Sequence, residues 1–103
     1  MCGRYYRTAD ARSLAEVFEA EPTGDKAAYA PAYNIAPHST QLAIRQARDT
    51  AIRETVHMGW GLIGNKTTGP DPKLKTHNAR AENLNHSDLW RTPCHKRRCL
   101  MIG

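Results

Sequence analysis

The chain begins MCGR, and the cysteine in this stretch would carry two reactive groups if it became the N-terminus. Removal of Met1 leaves Cys2 with a free α-amine and a thiol on adjacent carbons. An α-amine ordinarily titrates at about 7.7–8.0 and a cysteine thiol at about 8.5, so both groups are partly deprotonated near neutral pH. An amine adds to an aldehyde to give a Schiff base, and the adjacent thiol can then close onto the imine carbon as a five-membered thiazolidine. An internal lysine lacks that second step.

The two residues after Cys2 suit a reaction on a phosphate-bearing aldehyde. Gly3 removes side-chain bulk and permits a close approach of the backbone. Arg4 places a permanent cation two residues away, in a form that recognises phosphate. The start of the chain therefore combines a nucleophile, open space and an anion-binding group.

The positive charge of the chain is concentrated in its second part. The net charge is +5, and residues 1–65 hold seven basic and seven acidic side chains, whereas residues 66–103 hold eight and three. Such an excess indicates a polyanionic partner, of which nucleic acid is the first candidate; a solvated surface that keeps the protein in solution is the alternative. The aldehyde that best matches a basic surface is the ring-opened deoxyribose of an abasic site in DNA.

Length and composition narrow the class of protein. A chain of 103 residues is sufficient for one domain. We find no long apolar run and no signal peptide, which predicts a protein without membrane contact. Three irregularly spaced cysteines argue against a disulfide framework, so we expect a reducing, cytoplasmic location.

Hydrophobic spacing predicts few regular elements. Residues 9–20 are expected to form a helix with Leu14, Val17 and Phe18 on its apolar face and with Asp10 or Thr8 as its N-cap. Residues 21–40 carry three prolines and predict an irregular loop. Further elements are predicted along the rest of the chain: a hairpin of strands 41–46 and 50–58, a basic loop within 59–76, a helix at 81–90 and a buried strand at 97–102.

The sequence spacing of cysteine and histidine residues gives only weak support to two other kinds of site. Cys94, His95, Cys99 and His86 lie close in sequence, but structural zinc sites need a second matching pair of ligands, which is absent. A catalytic pair of Cys2 with a histidine has no local signature, and we interpret His38, His57 and His77 as loop or strand residues. We therefore predict no metal and no cofactor.

Five stretches, taken together and in order, resemble the SOS-response-associated peptidase (SRAP) family, also known as abasic-site processing proteins. These are MCGR (1–4), YNIAP (33–37), WGLI (60–63), NARAE (78–82) and RRCLMIG (97–103). The resemblance implies an α+β fold that is mostly β, with a mixed, barrel-like sheet. It extends over residues 1–103, which we interpret as the N-terminal part of a single such domain.

The resemblance also implies a function and a site. Proteins of this family bind single-stranded DNA and, after removal of Met1, are expected to crosslink covalently to an abasic site. By position, Cys2 matches the nucleophile and Asn78 matches an asparagine that hydrogen-bonds near the reacting sugar. Arg4 and Arg80 match phosphate-contacting arginines, while Asn34 and Pro37 match residues of the active-site cleft.

Each of these residues also has a purely structural interpretation. Asn34 could form an Asx-turn and Pro37 a rigid turn. Asn78 could cap a following helix, and Arg80 could pair weakly with Glu82 in solvent. Trp60 is expected in the core in either case.

The chain departs from the family pattern in two ways. Gly64 and Lys66 occupy a stretch in which the family usually has a proline and a base-stacking tryptophan, and Lys66 could recover part of the binding by contacting a phosphate. A later glutamate and histidine of the family are also absent, so we expect slow crosslinking by a catalytically incomplete half.

The alternative is a non-covalent single-stranded DNA-binding module. Missing strands would leave an open sheet edge and invite self-association.

Overall fold

The computed structural model describes residues 2–22, 30–71, 73 and 75–103. Within these ranges short strands alternate with two α-helices and one 3₁₀ helix. In chain order the elements are β1 (Tyr5–Arg7), α1 (Ala11–Val17), β2 (Glu21–Pro22), β3 (Ala32–Ile35), β4 (Thr40–Gln46), β5 (Arg53–Gly59), the 3₁₀ helix (Ala81–Asn83), α2 (Arg91–Lys96) and β6 (Cys99–Met101).

The strands of the described residues form two sheets. The larger has the order β2-β5-β4-β6; β4 is antiparallel to both β5 and β6, and β2 is parallel to β5, so this sheet is mixed. The smaller is a two-stranded antiparallel ribbon of β1 and β3. The α+β class predicted from the sequence is confirmed, and the described strands do not close into a barrel.

Helix α1 covers one face of the larger sheet. Asp10 is its N-cap, and its carboxylate accepts a hydrogen bond of 2.8 Å from the backbone N–H of Ser13, as the capping rule requires. Leu14 is buried against Leu42 and Ile44 of β4. The predicted helix is thus confirmed, although Val17, expected on the apolar face, is exposed.

The predicted hairpin is also confirmed and forms the centre of the sheet. Strands β4 and β5 pair in unbroken register from Thr40 opposite Gly59 to Gln46 opposite Arg53. Leu42 and Ala43 are both fully buried although they point to opposite faces. The centre of β4 is therefore covered on both sides, which fixes the register of the hairpin.

The β1–β3 ribbon contains a β-bulge. Tyr5 lies opposite Ile35 and Arg7 lies opposite Ala32, so one residue of β1 faces two residues of β3. That one residue is Tyr6, and the two opposite it are Tyr33 and Asn34. All three are exposed, whereas Arg7 and Ile35 are buried. The ribbon thus has an inner face toward the protein and an outer face toward solvent.

Two sequence predictions need correction. The loop predicted over residues 21–40 contains β2 and β3; its residues 23–29 lie outside the described part of the chain. The helix predicted over 81–90 is only a 3₁₀ turn at Ala81–Asn83, because asparagine, serine and aspartate in this stretch favour local turns over a continuous helix. The second helix instead spans Arg91–Lys96.

Strand β6 lies within the predicted range 97–102, but it is less buried than predicted. It pairs with β4, and Leu100 is exposed while the following Ile102 is buried. Among the described strands none pairs with the other edge of β6, and self-association through that edge stays a prediction. No helix in the described ranges is long and apolar enough to cross a membrane.

Candidate functional site

Cys2 and Asn78 are joined by two reciprocal hydrogen bonds. The backbone nitrogen of Cys2 donates to Oδ1 of Asn78 at 3.0 Å, and Nδ2 of Asn78 donates to the carbonyl oxygen of Cys2 at 2.9 Å. One amide side chain thereby holds both backbone groups of a residue 76 positions away in the sequence. Cys2 itself is exposed, so its thiol remains open to a partner.

The segment that carries Asn78 is fixed by the turn after β5. The backbone N–H of Leu62 donates to the carbonyl of Thr76 at 3.1 Å, two residues before Asn78. Gly61 adopts φ +140°, a backbone conformation that favours glycine, and it lies in van der Waals contact range of Thr76. The short WGL stretch therefore positions Asn78 through the backbone of the neighbouring segment.

Arg4 and Asn34 form a second polar contact between the start of the chain and β3. One guanidinium nitrogen of Arg4 donates to Oδ1 of Asn34 at 2.8 Å, and both residues are exposed. The Asn34 oxygen is therefore engaged by Arg4. Since Arg4 follows Cys2 by two residues, this contact orients the same N-terminal segment that Asn78 holds.

An aromatic cluster lies beside this segment. The rings of Tyr5 and Trp60 meet edge to face with centroids 5.3 Å apart, and Trp60 contacts His77 in the same way at 6.2 Å. His38 contacts His77 at 6.1 Å. Trp60 is buried, as predicted, and two of the clustered rings, Tyr5 and His77, lie close in sequence to Cys2 and Asn78.

The Tyr5 hydroxyl belongs to the electrostatic surroundings of Cys2. It is buried and has no hydrogen-bond partner among the described residues. Burial raises the pKa of Tyr5 above its ordinary value, the charge of Arg7 opposes the rise, and a thiolate on Cys2 adds to it. The phenol therefore stays neutral at physiological pH.

Pro37 occupies a turn that borders the aromatic cluster. The N–H of Ser39 donates to the carbonyl of Ala36 at 3.3 Å, and His38 between them has φ 68°, which is the arrangement of a type II turn with proline in its second position. The N–H of His38 also bonds to the carbonyl of Trp60 at 2.9 Å. Pro37 thus acts as a turn residue beside the site, and it makes no hydrogen bond to Cys2 or Asn78.

Arg80 and Lys66 are exposed, and neither takes part in the hydrogen bonds between Cys2 and Asn78. Arg80 is the N-cap residue of the 3₁₀ helix, so Asn78 does not cap it. Arg80 forms no ion pair with Glu82, or with another described residue. Lys66 lies in a turn of residues 64–67, and the neighbouring Asn65 accepts a hydrogen bond of 2.9 Å from Arg97. Both cations are free to meet an anionic partner.

Gly64, which lies in a stretch that departs from the family pattern, packs closely against Leu89. A Cβ at this position would stand 2.9 Å from a methyl carbon of Leu89, which is closer than real side chains allow. With glycine at residue 64, the basic loop lies against the 87–90 turn without displacing the Leu89 side chain.

The alternative metal site finds no support in the geometry. In the described part of the chain no three side chains of histidine, cysteine, aspartate or glutamate gather closely enough to bind a metal ion. Cys99 on β6 was predicted to be buried, but the residue is exposed. The partial burial that its sulfur keeps raises the pKa of the thiol, and the charge of Arg45 opposes this rise.

Sequence reasoning missed Tyr5, His38 and His77 as parts of the site. No spacing rule brings them together, because they come from β1, the 36–39 turn and the 76–78 segment. The only local hint was that Tyr5 and His77 stand next to Arg4 and Asn78, two residues that the motifs had already marked.

The Tyr5 hydroxyl should make the fold sensitive to alkaline pH. Because its pKa is raised in the folded state, its contribution to stability is complete below the ordinary value of 10.0 and is lost as the pH rises through the folded-state pKa. When the pH rises from about 8 to about 11, the free energy of unfolding, measured with urea, should therefore fall less for Tyr5→Phe than for the wild type. The exposed Tyr33→Phe is the control, and parallel pH profiles for wild type and Tyr5→Phe would contradict a buried hydroxyl.

Comparison with known proteins identifies the family of the chain. The family model for SOS response associated peptidase (SRAP) matches residues 1–103. The chain is 34% identical to the abasic site processing protein YMR114C of Saccharomyces cerevisiae over 84 residues, which are 80% of this chain and 22% of that protein. It is 30% identical to the abasic site processing protein YoaM of Bacillus subtilis over 101 residues, which are 98% of this chain and 44% of that protein.

A solved structure supports the fold. A crystal structure of a protein from Bordetella bronchiseptica superposes with a TM-score of 0.68 at 22% identity, covering 97% of this chain and 47% of that one. The chain therefore spans less than half the length of the relatives that it matches. With the family model matched from the first residue to the last, the chain belongs to the SRAP family.

Proposed function

We propose that this chain captures abasic sites in single-stranded DNA by forming a covalent thiazolidine at Cys2 once Met1 has been removed. The observation that supports this proposal most is the pair of hydrogen bonds between Cys2 and Asn78. The bonded nitrogen of Cys2 is the atom that becomes the α-amine when Met1 leaves. A side chain dedicated to that atom is expected where the amine has a reaction to perform.

The proposed reaction balances without a cofactor. The neutral α-amine attacks the aldehyde carbon of the ring-opened abasic sugar, and the resulting carbinolamine loses water to give an imine. The Cys2 sulfur then adds to the imine carbon, the electron pair of the C=N bond moves to nitrogen, and nitrogen takes up the proton that the thiol has lost. One water leaves, and carbon ends bonded to both nitrogen and sulfur.

Asn78 would hold the amine in place for the first step. Its Oδ1 accepts one N–H of the amine, while its Nδ2 fixes the carbonyl of the same residue. Rotation of the N-terminal residue is then restricted, and a nucleophile held in one orientation reacts faster than a free one. Arg4, which contacts Asn34, would place its remaining N–H groups toward a phosphate.

The substrate class comes from the relatives. Both matched curated proteins are named abasic site processing proteins, and the family as a whole supports a function connected with abasic DNA. Preference for single strands, covalent linkage and the lyase or peptidase activity of whole family members are proposals for this chain. The exposure of Cys2 is consistent with a substrate that approaches from solvent.

Covalent capture through Cys2 should be visible on a denaturing gel. Wild-type protein lacking Met1, as verified by intact mass, should give a shifted band with a single-stranded oligonucleotide carrying one abasic site. Cys2→Ser should give none that survives denaturation, because the hydroxyl cannot replace the thiol in ring closure. Cys99→Ser, which removes another exposed thiol, should react as the wild type does.

Two results of that experiment would contradict the proposal. Equal adduct from Cys2→Ser and wild type would place the reaction at another residue. Salt-sensitive binding of the wild type without any adduct would instead indicate a non-covalent single-stranded DNA-binding module.

The free cations predict how binding depends on salt. Each phosphate neutralised on a single strand contributes about 0.7 to the slope of log affinity against log salt concentration. Since Arg80 is exposed and unpaired among the described residues, Arg80→Ala should weaken binding and flatten that slope by about 0.7. Fluorescence anisotropy with a labelled oligonucleotide measures both quantities.

A matched control comes from the far end of the hairpin. Arg48 is an exposed arginine in the turn between β4 and β5. The whole length of β4, about 23 Å, separates this turn from the 36–39 turn beside the site. Arg48→Ala should leave the slope unchanged. An unchanged slope for Arg80→Ala would place Arg80 outside the DNA path.

A further inference from the structure

The outer face of the β1–β3 ribbon presents two large aromatic side chains to solvent. Tyr6 is 63% exposed and Tyr33 is 74% exposed, although burial of an aromatic ring is a major source of stability. Neither ring has an aromatic partner among the described residues. Their packing therefore adds little to the fold.

The β-bulge brings the two tyrosines to the same face. Tyr6 is the one residue of β1 between the pairs Tyr5–Ile35 and Arg7–Ala32, and it faces Tyr33 together with Asn34 on β3. Without the extra residue, strict alternation would turn Tyr33 and Asn34 to opposite sides. With it, both are exposed, and Ile35 remains buried.

This face continues directly into the Cys2 site. Asn34, which lies beside Tyr33 in the bulge, accepts the hydrogen bond of Arg4 at 2.8 Å. That bond uses one of the five N–H donors of the guanidinium, so the others can reach a phosphate. Tyr6 lies four residues from Cys2, which limits their Cα separation to about 14 Å. One short strand of nucleic acid can therefore touch both.

We propose that Tyr6 and Tyr33 form a stacking platform for nucleobases that flank the abasic nucleotide, with Arg4 holding the intervening phosphate. Exposed aromatic faces beside a cation are what single-stranded nucleic acid requires, since every base can stack and every linkage is anionic. The proposal rests on the proposed function, because it takes the strand bound at Cys2 as its ligand. It replaces the base stacking that the sequence lacks at Gly64 and Lys66 with stacking on another element.

If the two tyrosines stack on bases, removing either ring should weaken DNA binding without changing how binding depends on salt. Stacking is worth about 1–3 kcal/mol per base, so Tyr33→Ala and Tyr6→Ala should each weaken binding of a single-stranded oligonucleotide by between about 5-fold and about 140-fold. The salt slope should stay as in the wild type, because no phosphate contact is lost. Tyr33→Phe, which keeps the ring, should bind as the wild type does.

The control is Val17→Ala, which truncates an equally exposed apolar side chain on α1. Affinities are measured by anisotropy on an oligonucleotide with an intact base at every position, and adducts are measured on the abasic version. Far-ultraviolet circular dichroism verifies that each variant is folded, which is expected because both rings are exposed.

The outcomes separate this inference from the proposed function. Normal adduct formation by the wild type, together with unchanged affinity in both alanine variants, would overturn the platform alone. Tyrosine-dependent binding without any adduct would support the platform and overturn covalent capture. Absence of wild-type binding to either oligonucleotide would overturn both.

Discussion

The two hydrogen bonds between Cys2 and Asn78 are the contact on which the site depends. The first residues of a chain fray unless something ties them down, and here the tie is a single amide that satisfies a donor and an acceptor on one residue. Asn78 can do this because its own segment is fixed by the Leu62–Thr76 bond beside Gly61. The turn after the central hairpin, the NARAE stretch and the N-terminus are therefore one structural unit, although they are far apart in sequence.

The rest of the fold supplies a rigid base for that unit. Burial on both faces fixes the register of β4, and its hairpin partner β5 leads directly into Trp60. Tyr5 and His77 both contact the ring of Trp60 edge to face, so the aromatic cluster links the segment that follows Cys2 to the residue that precedes Asn78. This arrangement leaves the thiol of Cys2 exposed while its backbone is held. Such a combination is suited to a nucleophile that must meet a large partner in solution.

Local sequence rules predicted those elements whose causes are local. The Asp10 cap, the burial of Leu14 on α1 and the β4–β5 hairpin follow from capping, helical spacing and strand alternation, and the elements were placed to within a few residues. The family resemblance placed Cys2 and Asn78 in the same site, but their direct contact was not predicted, because no spacing rule joins residues 76 positions apart. The bulge in β3, the left-handed His38 and the short 3₁₀ turn at residues 81–83 could not be predicted, because pairing and packing with distant residues select them over the local preference. Tyr6 and Tyr33 share an exposed face because of that bulge.

The central claim is that Asn78 holds the α-amine of Cys2 for attack on an aldehyde, and the crosslinking rate of Asn78→Asp tests it most directly. The aspartate keeps the shape of the side chain but replaces the Nδ2 donor by an oxygen that repels the Cys2 carbonyl. Under single-turnover conditions we expect the rate of adduct formation to fall by about 10- to 100-fold, with affinity for intact single-stranded DNA little changed. Asn85→Asp, which makes the same change at an exposed asparagine, is the control. A wild-type rate for Asn78→Asp, or an equal fall for Asn85→Asp, would contradict the claim.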